Sequence, residues 1–489
     1  MLLLLIVAGC ADRSIIRPRE LTSSLPAFTG SGESIAPDRW WTAFDDPRLS
    51  RQIELALGGN YSLASARQRV NAARALWRRE ASDLFADVNG VAALSGTFGP
   101  GEDRTLLQWG LDGSYPVDLW GEIESRVDAQ RLRSVATDLD YQATALTLSA
   151  EIASTWYSLV EAHAQVELLD DQIETNQTGL EIQESRFGLG MIRRAAVLRQ
   201  RQLLESTLEQ AAVAKARIEV LEHQLAILLG QMPQTAGYKT GSALPELPPL
   251  PQTGLPSELL QRRPDVRRDF VAFQAADHDL ASAISAQYPR LNLSGSLLNA
   301  AENPESVLRD WFVSVGAELI APLFDGGQRR SEVDRTAAVV CELYYQYAGT
   351  VLTALGEVEN SLVREKYQLE RIEHLEEQVE LAGKASDQLR EQYLIGDAEY
   401  LDVLSAITGQ QSLQRQTLSA RLELVLIRVT LYRALAGGFD PQPQRFLQQP
   451  SVVQDEFDTN LNMEVSQETP ELKNSDSLEE NPPETDSDE

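Results

Sequence analysis

Cysteine is nearly absent from this chain of 489 residues, with two in all, and histidine is scarce at four. Two cysteines cannot build a disulfide framework. His163, His223, His278 and His374 stand far apart, with no cysteine or acid at ligand spacing, so no metal centre is expected. The chain has no phosphate-cradling glycine loop, HExxH or nucleophile elbow, and Gly30-Ser31-Gly32-Glu33-Ser34 is too generic to stand for one. An enzyme is not expected, nor a cofactor other than a covalent lipid. Basic residues are few: 43 Lys and Arg face 73 Asp and Glu, a net charge of −30. Phosphate binding needs a basic footprint, so nucleic acid is excluded as a partner. A run of about 18 apolar residues is also missing, which rules out a transmembrane helix. A transmembrane β-barrel stays open, because its strands carry a much weaker hydropathy signal.

The charge is uneven. Residues 451–489 hold 13 acids against Lys473 alone, a net of −12, with too few apolar residues to offset the entropy of ordering. This segment reads as a disordered, solvated tail, with a recruiting tail as the other reading. At the opposite end Met1–Cys10 reads MLLLLIVAGC, and Val7-Ala8-Gly9-Cys10 resembles a bacterial lipobox, with Cys10 as the lipidation site. Ala11 follows, and the absence of Asp there resembles lipoproteins sent on to the outer membrane. The missing basic segment before Leu2 suggests a start upstream of Met1. Cys341 is then left as a lone thiol in a helical stretch, expected as a small core residue. His163 falls near Trp156 and is expected to be packed.

Proline is missing from two long stretches, residues 117–232 and 323–440, and these are parts of a duplication. Pro116-Val117-Asp118-Leu119-Trp120-Gly121 aligns with Pro322-Leu323-Phe324-Asp325-Gly326-Gly327 at an offset of 206. Arg186-Phe187-Gly188-Leu189-Gly190 aligns with Gln392-Tyr393-Leu394-Ile395-Gly396 at the same offset. Length alone suggests about three domains; the repeat replaces them with one unit written twice. Each copy opens with a helical stretch (Leu49–Glu80, Ser257–Ala286). Two strand-like segments follow, 84–98 and 106–118 in the first copy, 289–298 and 311–323 in the second. Trp311, Val313, Val315, Ala317 and Leu319 alternate with a partly polar set at period two. About ten residues suffice to cross a bilayer as a tilted strand, although an ordinary half-buried hairpin has the same pattern.

Two long helices are then expected, Glu122–Arg186 and Gln328–Gln392, each roughly 100 Å long at 1.5 Å per residue. Ile152, Leu159, Val166, Ile173 and Leu180 recur every seven residues in the first. Val351, Leu355, Val358, Leu362, Glu365, Leu369, Ile372, Glu376 and Val379 step by four and three in the second. Such heptads specify a left-handed coiled coil, which fits a tube or fibre and not a globule. Glycine turns at Gly190 and Gly396 lead into return helices, Ala195–Leu229 and Tyr400–Leu435, so the helical tips lie at the opposite pole from the strands. Five prolines in Thr240–Pro256 mark an extended linker. The expected segments are a signal remnant (1–9), a lipidated N-terminal segment (10–48), repeat one (49–239), the linker (240–256), repeat two (257–440) and the tail (441–489).

Leu244-Pro245-Glu246-Leu247-Pro248-Pro249-Leu250-Pro251, followed by Leu255-Pro256-Ser257-Glu258-Leu259-Leu260-Gln261-Arg262-Arg263-Pro264-Asp265-Val266, resembles the mid-chain signature of the outer-membrane factor (TolC) family, and in particular its NodT-type efflux lipoproteins. Trp40-Trp41, Tyr288-Pro289 and Tyr400-Leu401-Asp402-Val403-Leu404 fit the same pattern over about residues 36–440. The resemblance implies a mainly α fold with a small β part. Four strands per chain would contribute to a trimeric 12-stranded outer-membrane β-barrel, and the long coiled-coil helices would form a periplasmic α-barrel. It further implies a homotrimer, a periplasmic adaptor (membrane fusion) protein, an inner-membrane RND-type transporter, contact with outer-membrane lipid, and a location in the outer membrane of a Gram-negative bacterium. The function implied is that of the outer-membrane channel of a tripartite efflux system, passively exporting small molecules. A duct for protein secretion or metal ions would share the architecture. A non-conducting coiled-coil envelope scaffold is the reading from another class.

The resemblance also places sites. Asp402 matches the family's acidic constriction, with Ser405 where many members carry a second acid. Asp397 and Glu399 are possible contributors, and a solvated acid at a helix N-terminus is the alternative reading of Asp402. Arg193 and Arg194 stand in the first tip, where several relatives carry an acid near Ala196; they either pair with Asp397 or Glu399 or are simply solvated. Leu189-Gly190-Met191 and Ile395-Gly396 are expected to dock the adaptor.

Overall fold

The computed structural model describes residues 27–33, 37, 39–97, 104–233, 237–241, 243–254, 256–301 and 308–439. The lipidation site read at Cys10 and the acidic tail lie outside these residues. Four strands, β1 (Asp87–Thr97), β2 (Arg104–Val117), β3 (Arg290–Ala301) and β4 (Trp311–Ile320), form one antiparallel sheet in the order β1-β2-β3-β4. Register decides what the sheet can be. The pairs Leu111↔Leu297, Tyr115↔Leu293, Leu297↔Val313 and Leu291↔Leu319 put an apolar row on one face. Asn89↔Asp112, Asp112↔Ser296, Ser296↔Ser314 and Asn292↔Glu318 put polar groups on the other. An ordinary hairpin would bury its apolar face, yet Leu111, Val313, Val315 and Leu319 are all exposed. The sheet has polar residues facing one way and uncovered apolar residues facing the other, as in a membrane barrel wall.

The helices form rows. α3 (Glu122–Gly188) and α7 (Gln328–Ile395) are the long members, with 67 and 68 residues. Along the half of α3 nearer the strands runs α2 (Tyr61–Ala81), tied by Arg74 to Asp138; along the half nearer the tip runs α4 (Arg194–Leu228), tied by Lys215 to Asp170. α7 is flanked likewise. α6 (Pro264–Ser285) meets its first half through Asp269 and Thr350, and α8 (Tyr400–Leu435) meets its second half through Gln368 and the Ala420 carbonyl. α3 also packs on α6, where Arg133 pairs with Asp279, and on α8, where Gln172 bonds Gln414. The order across the protomer is therefore α2-α3-α6-α7 near the strands and α4-α3-α8-α7 toward the tips.

Each expected opening helix is broken in two. The stretch Leu49–Glu80 divides at Asn60 into α1 (Pro47–Gly59) and α2, because Asn60 takes an extended conformation. Its side-chain oxygen caps α2 at the Leu63 N–H, and its amide nitrogen donates to the Leu228 carbonyl at the end of α4. In the second copy Arg263 separates α5 (Pro256–Arg262) from α6. Arg263 precedes Pro264, which disfavours helical backbone, and its guanidinium donates to the Ala434 carbonyl while pairing with Asp265 and Glu357. Thus the return helix of each hairpin is continued in space by the helix that opens its copy.

The heptad expected in α7 holds in its first half and shifts toward the tip. Val351, Val358, Leu362, Glu365 and Ile372 are buried and Leu355 half-buried as expected, with Ala354 and Ser361 buried beside them, but beyond Leu362 the second row passes to Gln368 and Leu375, and Leu369 and Glu376 are exposed. Small and amide side chains occupy the seam because the helices approach closely and Gln368 bonds the backbone of α8. Val363, Tyr367 and Leu381 share one face of α7 that no other described residue covers, as do Val213, Val220 and Ile227 on α4.

The main core lies at mid-height. Trp40, Trp41 and Phe44, in a short 3-10 turn, pack on Tyr157, Tyr432 and Phe439, and the Trp40 indole donates to Ser149. The Gly30-Ser31-Gly32 stretch docks beside the linker, Gly32 N–H donating to the Pro251 carbonyl. Arg428 fastens the linker: it holds buried Glu365 through two hydrogen bonds and donates to the Pro248 carbonyl. Cys341 is a half-buried thiol, and half-buried His163 meets the Leu159 carbonyl and Thr240. Replacing Arg428 alone by Met is expected to cost about 3–5 kcal/mol, since Glu365 is left buried without a partner, whereas Arg428→Met with Glu365→Leu restores most of the loss. Thermal unfolding of the two variants checks this.

Candidate gate at the helical tips

Both tips are built the same way. In the first, Met191 N–H returns to the Arg186 carbonyl and Gly190 N–H to that of Phe187; in the second, Asp397 returns to Gln392 and Gly396 to Tyr393. These are glycine-terminated helix ends, with Gly190 at φ +73° and Gly396 at φ +89°. Within the protomer a side chain at either would meet no neighbouring atom, so the positive φ is what requires glycine at these turns. Leu189, Met191, Leu394 and Ile395 are exposed apolar residues at the two tips.

Asp402 lies in the first turn of α8 and is exposed, as are Asp397 and Glu399. Arg193 and Arg194 are exposed at the start of α4. Among the described residues none of these five makes a side-chain hydrogen bond or ion pair, so the protomer does not by itself bring the arginines to the acids.

What joins the tips is a set of residues that sequence reasoning passed over. Tyr393 donates to Gln183 Oε1 at 3.2 Å, and its ring lies 4.6 Å from the Arg186 guanidinium carbon. Tyr400 donates to Gln200, which in turn donates to the Asn176 carbonyl at 2.7 Å; the two tyrosine rings are 5.4 Å apart. Burial pushes the Tyr400 phenol up to about 12, so it stays a donor. Above the tyrosines the bonds continue as a polar ladder between α3 and α8. Asn176 exchanges hydrogen bonds with Gln411, Arg415 donates to Gln172 at 2.6 Å, Gln165 donates to Ser419, and Ser419 donates to buried Glu161. A signal for this was present, since Gln165 and Gln172, Asn176 and Gln183, and Gln200 and Thr207 are each seven residues apart on helices whose other seams are apolar.

The second hairpin is therefore held to the first near its tip by polar side chains, while its own two helices combine apolar packing of Ile372 and Leu375 on Ala420 and Leu424 with the Gln368 bond to the Ala420 carbonyl and the Arg371–Glu423 and Arg421–Glu376 ion pairs.

The family described as outer membrane efflux protein matches residues 52–231 and again 255–437, once per copy. The chain is 28% identical over 448 residues to the pyoverdine export outer membrane protein OpmQ of Pseudomonas aeruginosa, covering 87% of this chain and 94% of that one. It is 25% identical over 460 residues to nodulation protein T of Rhizobium leguminosarum, covering 89% and 96%. The solved outer-membrane channel OprN superimposes with a TM-score of 0.79 at 29% identity, over 86% of this chain and 96% of that one.

At about 1 kcal/mol per hydrogen bond, the double change Tyr393→Phe and Tyr400→Phe should raise the rate of local opening at the tips roughly thirtyfold. Amide hydrogen exchange over residues 183–200 and 392–402 measures it.

Proposed function

The chain belongs to the outer membrane efflux protein family and is the outer-membrane channel component of an efflux system, and from that premise we propose a homotrimeric duct gated at its helical tips. The observation that carries this is the state of the protomer's two sides. The sheet ends in β1 and β4, each with one edge unpaired in the protomer, and an open edge in lipid leaves backbone groups unsatisfied. The helical row ends in α4 and α7, which carry the uncovered stripes of Val213, Val220 and Ile227 on one and Val363, Tyr367 and Leu381 on the other. Identical copies joined β4 to β1 and α7 to α4 close both parts by one rotation. Three copies give 12 strands, and the channel fold of the relatives supports that number.

Asp402, with Asp397 and Glu399, then recurs around the axis at the tip, where like carboxylates repel and attract cations. Arg193 and Arg194 of one tip are available to acids of a neighbouring copy. The exposed Leu189, Met191 and Ile395 beside Gly190 and Gly396 are the surface for a periplasmic adaptor, which couples the duct to an inner-membrane transporter. Lipid on Cys10 would hold the N-terminal segment at the outer membrane. The duct supplies no energy, and its cargo is small molecules passing from periplasm to exterior.

Reconstituted in planar bilayers, the protein is expected to show discrete conductance steps blocked by divalent cations from the tip side. At about 1 kcal/mol per solvated carboxylate at contact, Asp402→Ala should weaken that block roughly tenfold or more, and unchanged block would exclude Asp402 from the constriction. Gly396→Val places a β-branched residue at φ +89°, strained by about 1–2 kcal/mol or more. Crosslinking to the adaptor in the native envelope should fall while bilayer conductance persists; intact crosslinking and efflux would move docking elsewhere.

A further inference from the structure

Near the strands the helical row ends in α2 on one side and α7 on the other, and each of these helices has an unpartnered face. On α2, Leu63, Ala66 and Val70 are buried. Tyr61, Gln68 and Ala72 lie on the opposite side of that helix and are exposed, Tyr61 at 78%. On α7, Val351, Ala354 and Val358 are buried, and Tyr345, Gly349, Leu352 and Gly356 run down the opposite side. Tyr345 and Leu352 are 66% and 62% exposed. The two glycines serve nothing within the protomer. Each stands in a helix interior, where glycine is unfavourable relative to alanine, and a Cβ at either would meet no described atom. The space they keep open lies outside the protomer.

The partner that fits each face is the other face, on a second copy of this chain; this pairing rests on the homotrimer proposed above. A ring closes only when successive copies carry no shift along its axis, so residues at one height meet. Helix α3 serves as the ruler. Arg74 pairs with Asp138, Arg69 lies by Asp140 and Arg67 stacks on Tyr141, which sets α2 against α3. α3 and α7 leave the strands at Glu122 and Gln328, the same offset as the repeat. On that scale Tyr61 of one copy stands at Gly356 of the next, Gln68 at Gly349 and Ala72 at Tyr345, to within about one residue. Toward the tips Asn176 meets Thr207 and Asp170 meets Lys215, which puts Val220 of α4 level with Tyr367. We propose that the copies lock in this one register. Tyr61 seats over Gly356 against Leu352, Gln68 covers Gly349, and Tyr345 returns over Ala72. At each level a large side chain meets a small one, as knobs meet holes between helices packed side by side.

The test uses the full chain in detergent, with Cys341 changed to Ser. Tyr61 and Gly356 lie on opposite edges of the protomer, so only neighbouring copies can link them. Tyr61→Cys with Gly356→Cys should give disulfide-linked dimers and trimers on oxidation. Tyr61→Cys with Gly349→Cys or with Val363→Cys moves the partner by one heptad, about 10 Å and beyond disulfide reach, and the ladder should be lost. Gly356→Leu should shift trimer to monomer in light scattering with helix content unchanged, and Tyr61→Ala in the same chain should restore the trimer. A ladder from either shifted pair, no ladder from any pair in a trimeric protein, or a trimer untouched by Gly356→Leu would overturn this register and leave the trimer standing. A parent chain that is monomeric overturns both.

Discussion

A helix of 67 residues cannot cover its own apolar stripe, and the protomer is arranged around covering that of α3. α1, α2, α4, α6 and α8 all lie against it. No single partner is long enough: α4 serves the part toward the tip and α2 the part toward the strands, and they are stitched where Asn60 meets the Leu228 carbonyl. The same solution recurs in the second copy around α7, with Arg263 in place of Asn60. Length thus dictates the chain path, since a wall taller than either flanking helix needs a joint part of the way up.

The contact between α3 and α8 changes character along its length. At mid-height Val425, Val429 and Tyr432 join the aromatic core with Trp40 and Tyr157. Below that level the contact is made by Glu161, Gln165, Gln172 and Asn176 meeting Ser419, Arg415, Gln414 and Gln411. Apolar burial cannot be exchanged for water without loss, whereas amide and hydroxyl bonds can be at modest net cost. The mid-height core is therefore the end sealed by apolar burial, and the seam toward the tips the end held by polar bonds.

Much of this was legible in the residues. The offset of 206 located both tips, and the two proline-free stretches bounded the helical hairpins closely: the start of α3 at Glu122, of α7 at Gln328 and of α8 at Tyr400 fall where expected. The breaks at Asn60 and Arg263 were not foreseen: the one at Asn60 is fixed by a carbonyl supplied by a distant helix end, and the one at Arg263 was marked by Pro264 but passed over. The displaced row in α7 was misread because apolar Leu369 is a plausible seam residue, and only the packed structure shows that Gln368 takes the seam while Leu369 faces outward. The acids and arginines of the tips were found through family likeness. The tyrosines and amides that join the tips inside one protomer escaped because polar residues at heptad positions do not resemble a core.

The joint at Asn60 also bears on how the chain folds. Asn60 and its partner Leu228 are separated by 168 residues, and Arg263 and Ala434 by 171. A segment delivered from its amino end must therefore keep α1 and α2 unsettled until an entire helical hairpin has been made and turned back, and then do so again for the second copy. Contacts at such separation are slow to form. The exposed interval is spent with Trp40, Trp41 and Phe44 uncovered, so the aromatic core that later fixes the wall is, during assembly, the part most in need of protection from aggregation.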